Sequence, residues 1–180
     1  MDTHIIYTLT GSDRIGIVEE VTRLLLKHDG NIEASRMARL ASEFAILMLV
    51  AIPSEQLVGL ELDMQTLIAQ GYKVTIALTQ QSVDQSRSDW LLYQIEVQGA
   101  DTEGIVYEIA STMRQRGINI ESMDTQVVHA PVSGSPLFNM KGLVAVPPVL
   151  AGQPWESALV HVGNQLNVSI TVTPARRPFL

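Results

Sequence analysis

Two stretches of this chain place glycine and carboxylate residues where a strand hands over to a helix. The first is Gly11-Ser12-Asp13-Arg14-Ile15-Gly16-Ile17-Val18. The second is Gly99-Ala100-Asp101-Thr102-Glu103-Gly104-Ile105-Val106, in which Gly11, Asp13, Gly16, Ile17 and Val18 recur 88 positions later. A helix that begins near such a glycine offers unpaired N–H groups and the positive end of its dipole, which together favour a carboxylate or a phosphate. Asn31 follows Gly16 by fifteen residues, and Asn119 follows Gly104 by fifteen. An amide donates to a carboxylate and accepts from an ammonium, and Asp13 or Asp101 accepts from an ammonium as well. An α-amino acid carries that pair of charges. The same residues also have a purely architectural reading, with the glycines as close-packing positions, Ser12 or Asp13 as helix caps and the asparagines as helix terminators.

The elements that must position these loops follow from periodicity. Residues 3–10 alternate as a strand, and Ile17, Val18, Val21, Leu24 and Leu25 form one stripe of a helix that runs to about His28. Asp29-Gly30-Asn31 stops it. Residues 32–40 and 44–52 read as two strands joined by a short hairpin loop. Pro53 ends the second strand, Ser54 is placed to cap a helix with the stripe Leu57, Leu60, Met64, Leu67 and Ile68, and Gly71 closes that helix. Residues 72–78 form a fourth strand. The order is β-α-β-β-α-β, an α+β ferredoxin-like plan with a four-stranded antiparallel sheet and both helices on one face.

The second half retraces this plan: strand 90–98, helix 103–116, strands 119–129 and 137–146, a shorter helix from Pro154, and strand 167–173. Asn119-Ile120-Glu121 repeats Asn31-Ile32-Glu33 at the offset of 88, whereas Phe138 and Leu143-Val144-Ala145 repeat Phe44 and Leu49-Val50-Ala51 at an offset of 94. The six added residues fall in a longer hairpin loop around 130–136, rich in Gly and Pro, where added length costs little. The polar stretch from Thr79 to Asp89 carries no core stripe. The division is therefore a domain at 1–80, a linker at 81–89, a second domain at 90–174 and a patternless tail at 175–180. Each half is small for an independent core, so the halves are expected to pack on each other or on a second chain as a homo-oligomer.

Composition excludes several function classes. With no cysteine among 180 residues there is no thiolate zinc site and no cysteine nucleophile, and His4, His28, His129 and His161 lack metal-ligand spacing. No cofactor is implied. A net charge of −7 with scattered basic residues supplies no surface for phosphate contacts, so direct nucleic-acid binding is not expected. Hydrophobic residues make up 46% of the chain, with a mean hydropathy of +0.18, yet no apolar run approaches the ~20 residues that span a bilayer. Without a basic leader at the amino terminus, the expected location is the cytoplasm and no membrane is involved. Nucleophile elbows, Walker loops and Rossmann loops do not occur, so no enzyme chemistry is indicated. Arg36 and Arg39 are read as lying on one side of the second strand, and Trp90 and Trp155 as anchors.

The D-R-x-G-I-V…G-N-I pattern on a βαββαβ frame resembles the ACT domain, a regulatory module that binds amino acids where two copies meet. Two such domains in one chain are similar to the repressor-type regulators of the glycine cleavage system. The resemblance implies ligand-binding residues Asp13, Gly16 and Asn31 in one copy, and Asp101, Gly104 and Asn119 in the other. Asp13 lacks an N–H donor, so its implied contact is the ligand's ammonium. Thr102-Glu103 stands where the first copy has Arg14-Ile15, so the two copies are expected to differ. The implied function is non-catalytic: a small amino acid, with glycine the candidate, modulates repression exerted through a protein partner, a LysR-type activator, without DNA contact. The second reading is a regulatory amino-acid-binding subunit of a metabolic enzyme.

Overall fold

The computed structural model describes residues 1–79, 87–131 and 133–176. The first half comprises β1 (Asp2–Ser12), α1 (Ile17–Lys27), β2 (Asn31–Leu40), β3 (Glu43–Pro53), α2 (Leu57–Ala69) and β4 (Lys73–Thr79). The second comprises β5 (Leu91–Ala100), α3 (Ile105–Gln115), β6 (Asn119–His129), β7 (Pro136–Val146), α4 (Glu156–Leu166) and β8 (Val168–Pro174). Two antiparallel four-stranded sheets result, ordered β2-β3-β1-β4 and β6-β7-β5-β8. The chain divides into two compact units, one on each sheet. Most of the expected linker, residues 80–86, lies outside the described residues, as do Val132 of the longer hairpin and residues 177–180 of the tail.

Alternation along β1 and β3 decides which face is covered. Ile5, Tyr7 and Leu9 of β1 and Ile46, Met48, Val50 and Ile52 of β3 are fully buried or nearly so. They share one cluster with Ile17, Val21 and Leu25 of α1 and with Leu60, Met64 and Leu67 of α2. Both helices therefore cover the same face of the sheet, and each such side chain contributes roughly 2 kcal/mol of burial. The second unit repeats this with Ile95, Val97, Phe138, Met140 and Val144 against Ile105, Ile109, Met113 and Leu159.

Helix ends show how local sequence sets the turns. Gly71, at φ +97°, closes α2: its N–H reaches the Ile68 carbonyl and that of Tyr72 reaches Leu67, a Schellman arrangement. At the end of α1 the left-handed residue is Asp29, at φ +56°, and not Gly30; Gly30 N–H then bonds the Leu25 carbonyl at 2.8 Å. Gly30 is needed for space, since a Cβ there would sit 3.0 Å from that carbonyl oxygen.

Three local expectations need correction. Ser54 does not cap α2: it opens a short 3-10 turn, and its hydroxyl donates to the Met1 carbonyl at 2.8 Å, holding the first strand's start. The helix expected from Pro154 begins at Glu156, because Ser157 and Ala158 N–H groups reach back three residues to Pro154 and Trp155 in a tighter turn. Arg36 and Arg39 lie on opposite sides of β2. Arg36 stands opposite Leu47 and Arg39 opposite Phe44, and successive side chains on a strand alternate faces. Trp155 is buried and meets the Tyr93 ring edge-on at 5.1 Å, the anchor role expected of it.

Candidate functional site

In each unit the chain leaves the first strand and turns through a glycine into the first helix. Gly16 has φ +89° and Gly104 φ +90°, a left-handed conformation that strains any residue with a side chain. A Cβ at either glycine would meet nothing within 4 Å, so backbone conformation, and not crowding, requires glycine there. The first helical hydrogen bonds run from Glu20 N–H to the Gly16 carbonyl at 2.9 Å and from Glu108 N–H to that of Gly104 at 3.0 Å. Neither helix has a side-chain cap, which corrects the expectation for Ser12 and Asp13. Ile17 N–H reaches back to the Arg14 carbonyl at 3.4 Å; the other early N–H groups of α1 and α3 precede the first full helical bond, so both loops present donors and a positive dipole end to whatever lies beside them.

The two loops differ in what holds them. In the first, the Asp13 carboxylate pairs with Arg39 at 2.9 Å and its N–H donates to the Ser42 carbonyl at 2.7 Å. Arg14 donates to Glu20 and, at 3.0 Å, to the Gln70 side-chain oxygen, while the Gln70 amide donates back to Glu20 at 3.3 Å. The hydrogen bond from Arg14 holds the Glu20 carboxyl below its usual range, and Glu20 in turn raises the already high Arg14. The Arg14 guanidinium lies 5.7 Å from the centre of the Tyr72 ring, and the Tyr72 hydroxyl donates to the Ser12 carbonyl at 2.9 Å. That ring fills the space beside Gly11, where a Cβ would stand 2.5 Å from Tyr72 Cδ1.

In the second loop, Asp101 N–H donates to the Pro136 carbonyl at 3.2 Å, and among the described residues no side-chain hydrogen bond or ion pair holds Asp101, Thr102 or Glu103. Thr102 stands at the position of Arg14 and Val127 at that of Arg39. Both cationic restraints are absent for that reason.

The expected site residues are not all brought together. Asp13 and Gly16 share one loop, and Asp101 and Gly104 share the other. Asn31 pairs with Ala51, which pairs with His4 near the start of β1, whereas the glycine loop follows Ser12 at the opposite end. Eight residues of strand separate those ends, about 26 Å. α1 runs back along the sheet and delivers Asn31 to the far end. Asn119, opposite Ala145, is displaced from Gly104 in the same way, and its side-chain amide donates to Glu121 at 2.6 Å. Both asparagines begin the edge strand just before a bulge, between Ile32 and Ala34 and between Ile120 and Ser122.

Sequence reasoning missed a second cluster. His28 is buried, its Nε2 2.7 Å from Asp63 and its Nδ1 3.2 Å from the Gln56 side-chain oxygen, and Lys27 donates to the same Asp63 oxygen at 2.6 Å. Lys27, then His28, holds the Asp63 carboxyl below its usual range. Gly59 makes room, since a Cβ there would lie 2.9 Å from the ring. A histidine at a helix end, 35 residues from its carboxylate, gives no sequence signal.

Residues 3–77 match the family model of the ACT domain. The match spans the first unit from β1 into β4. The second half repeats its topology strand for strand, so the chain is a tandem of two ferredoxin-like folds. Along 98% of its length it superposes on an unknown protein from Galdieria sulphuraria, covering all of that chain, with a TM-score of 0.82 and 29% identity. It also superposes on a candidate glycine cleavage system transcriptional repressor over 98% of this chain and 99% of that one, with a TM-score of 0.70 and 21% identity, and so shares its fold. No curated protein sequence matches the chain significantly. Among the described residues no helix is long and apolar enough to cross a membrane.

Proposed function

We propose that the chain is a non-catalytic, amino-acid-responsive regulator, with glycine the first candidate ligand. The observation that carries this reading is the pair of left-handed glycines, Gly16 and Gly104, opening uncapped helices with free space beside them. A ligand carboxylate can approach the backbone donors there, and Asp101 is free to accept from an ammonium. Because each asparagine lies at the far end of its own sheet, a ligand at Gly16 that also meets Asn31 takes that residue from another chain, and the same holds for Gly104 and Asn119. The match of residues 3–77 to the ACT domain and the full-length likeness in fold to a candidate glycine cleavage repressor support a regulatory role.

The regulated process in this reading is transcription of glycine cleavage genes, through a protein partner for which a LysR-type activator is the candidate, in the cytoplasm. A chain of net charge −7 gains little from counterion release and is not suited to hold DNA itself. The ligand shifts the complex only by its difference in affinity for the free and the partner-bound forms.

Calorimetry across the common amino acids tests the ligand. Glycine at about 100 times its dissociation constant is expected to stabilise the fold by roughly 2.7 kcal/mol. Gly104→Val should abolish binding at the second loop by filling the open space, and Asn119→Ala should weaken it. No heat from any amino acid with folded protein overturns the sensor. Mobility shift at low salt tests the partner: no operator binding by the chain alone, and a glycine-sensitive supershift with the activator present. Co-purification of a metabolic enzyme in place of a regulator would favour the enzyme-subunit reading.

A further inference from the structure

The two sheets differ in chemistry at the centre of the faces turned away from their helices. On the first, Ile6, Ala38, Ala45, Leu47, Leu49 and Ala77 share one face, as the pairings Ile6 with Leu49 and with Ala77, Arg36 with Leu47, and Ala38 with Ala45 require. Leu47 is 47% exposed, and Ala38, Ala45 and Ala77 are exposed around it. The corresponding face of the second sheet holds Gln94, Glu96, Gln126, Asn139, Lys141 and Thr173, with Lys141 3.4 Å from Glu96 and the Gln94 amide donating to Glu96 at 2.8 Å. The second sheet acts as an internal control, because the same fold in the same chain accepts polar and charged residues at the centre of this face, with Leu137, Leu143 and Val128 beside them. Apolarity on the first face is therefore not needed to form the sheet.

We propose that the helix-free face of the first sheet is a self-association surface whose occupant is the same face of a second copy of this chain. Three observations favour a like partner. The centre of the face, around Thr8 and Leu47, carries no charge that would select an unlike one, and charged residues lie at the rim: Arg36 and Lys73 on the edge strands β2 and β4, and Glu43 at the start of β3. An isologous contact about a two-fold axis needs only self-complementarity, which a flat apolar patch supplies, and two twisted sheets stack face to face about 10 Å apart at about 30°. The paired block of four strands over seven residues spans roughly 19 by 23 Å, a footprint on the order of 400 Å² per copy before side-chain relief. With that relief, two copies reach the roughly 1,000 Å² that a specific interface needs.

The test uses the full chain in sedimentation equilibrium. The triple variant Ile6→Gln, Ala38→Gln and Leu47→Lys installs the residues that the second sheet carries at the corresponding positions, Gln94, Gln126 and Lys141. The wild-type protein is expected at twice the mass of the triple variant, with both giving the same far-ultraviolet circular dichroism. Leu62→Lys, a substitution at an exposed position on α2, should leave the mass unchanged. Should the triple variant fail to fold, Leu47→Lys alone replaces a half-exposed residue and is expected to weaken association at least about tenfold. Equal masses for the wild type and a folded variant, or a wild-type monomer throughout, overturn the proposal; a monomer would assign the face to some other occupant.

Discussion

The glycine loops of the two halves share a backbone and differ in their restraints. Both place a left-handed glycine before an uncapped helix, yet the first is bound by Arg14, Glu20, Gln70, Tyr72 and the Asp13–Arg39 pair. The second is stitched to its neighbouring hairpin by one backbone bond. Duplicated backbone geometry thus needs only the glycine, while side-chain restraints come and go with single substitutions such as Arg14 against Thr102. The first loop is preorganised and its carboxylate is neutralised. The second keeps an acceptor, Asp101, without a cationic partner.

The sharpest break in this comparison lies just upstream of each loop. Gly11 and Gly99 are equivalent, but a Cβ at Gly11 would meet the Tyr72 ring at 2.5 Å, whereas one at Gly99 would meet the Asn167 carbonyl oxygen at 2.7 Å and Val168 Cα at 2.8 Å. A ring can rotate slightly and backbone cannot. Gly99→Ala is expected to destabilise the second unit by about 3 kcal/mol, and Gly11→Ala the first by about 1 to 2 kcal/mol, as overpacking does. Residue-resolved hydrogen exchange on the full chain separates the two units, and equal losses would refute the distinction.

Next in size is the core difference between Tyr7 and Ile95. Both are fully buried, but the Tyr7 hydroxyl has no hydrogen-bond partner among the described residues, and burial pushes its pKa up. Tyr7→Phe removes an unpaired polar group at almost constant shape and is expected to raise stability by about 1 kcal/mol. A lower melting temperature for this variant would show that the hydroxyl is paired in solution. Tyr72→Phe should act the other way, costing about 1 kcal/mol through loss of the bond to the Ser12 carbonyl. It should also raise exchange in residues 11–16 toward that of 99–104.

The smallest expected effect is a pH dependence confined to the first unit. Glu20 and Asp63 have folded pKa values depressed by Arg14 and Lys27, so the stability they contribute is present above the unfolded carboxylate values. It is lost as the pH falls below about 4, through the folded values. Both carboxylates are partly exposed and their cationic partners more so, so solvent screening keeps the effect small. Arg14→Thr and Asp63→Asn should each flatten part of the acid limb of the first unit's stability curve and leave the second unit's unchanged.

Much of the architecture could be read from local pattern, because strand alternation and helix stripes are set by near neighbours. The β-α-β-β-α-β order, Gly71 as the end of α2, and the six-residue difference between hairpins all follow from spacing. Local reading failed where a residue had a distant competitor. Ser54 was expected at a cap and instead donates to Met1, 53 residues away. The caps expected of Ser12 and Asp13 gave way to Gly16 because Asp13 is drawn to Arg39 across the sheet.

For the candidate site, sequence alone determined the two glycine loops: a glycine between strand and helix at matched positions requires the left-handed turn wherever the rest of the chain goes. Tertiary structure alone decided what those loops meet. α1 runs antiparallel to β1 and carries Asn31 to the opposite end of the sheet, so fifteen residues of sequence become about 26 Å of space. Gln70, Asp63 and Arg39, which meet Arg14, His28 and Asp13, are 56, 35 and 26 residues away from them. Local conformational preference decays within a turn or two, whereas these pairs exist only because packing brings distant elements side by side.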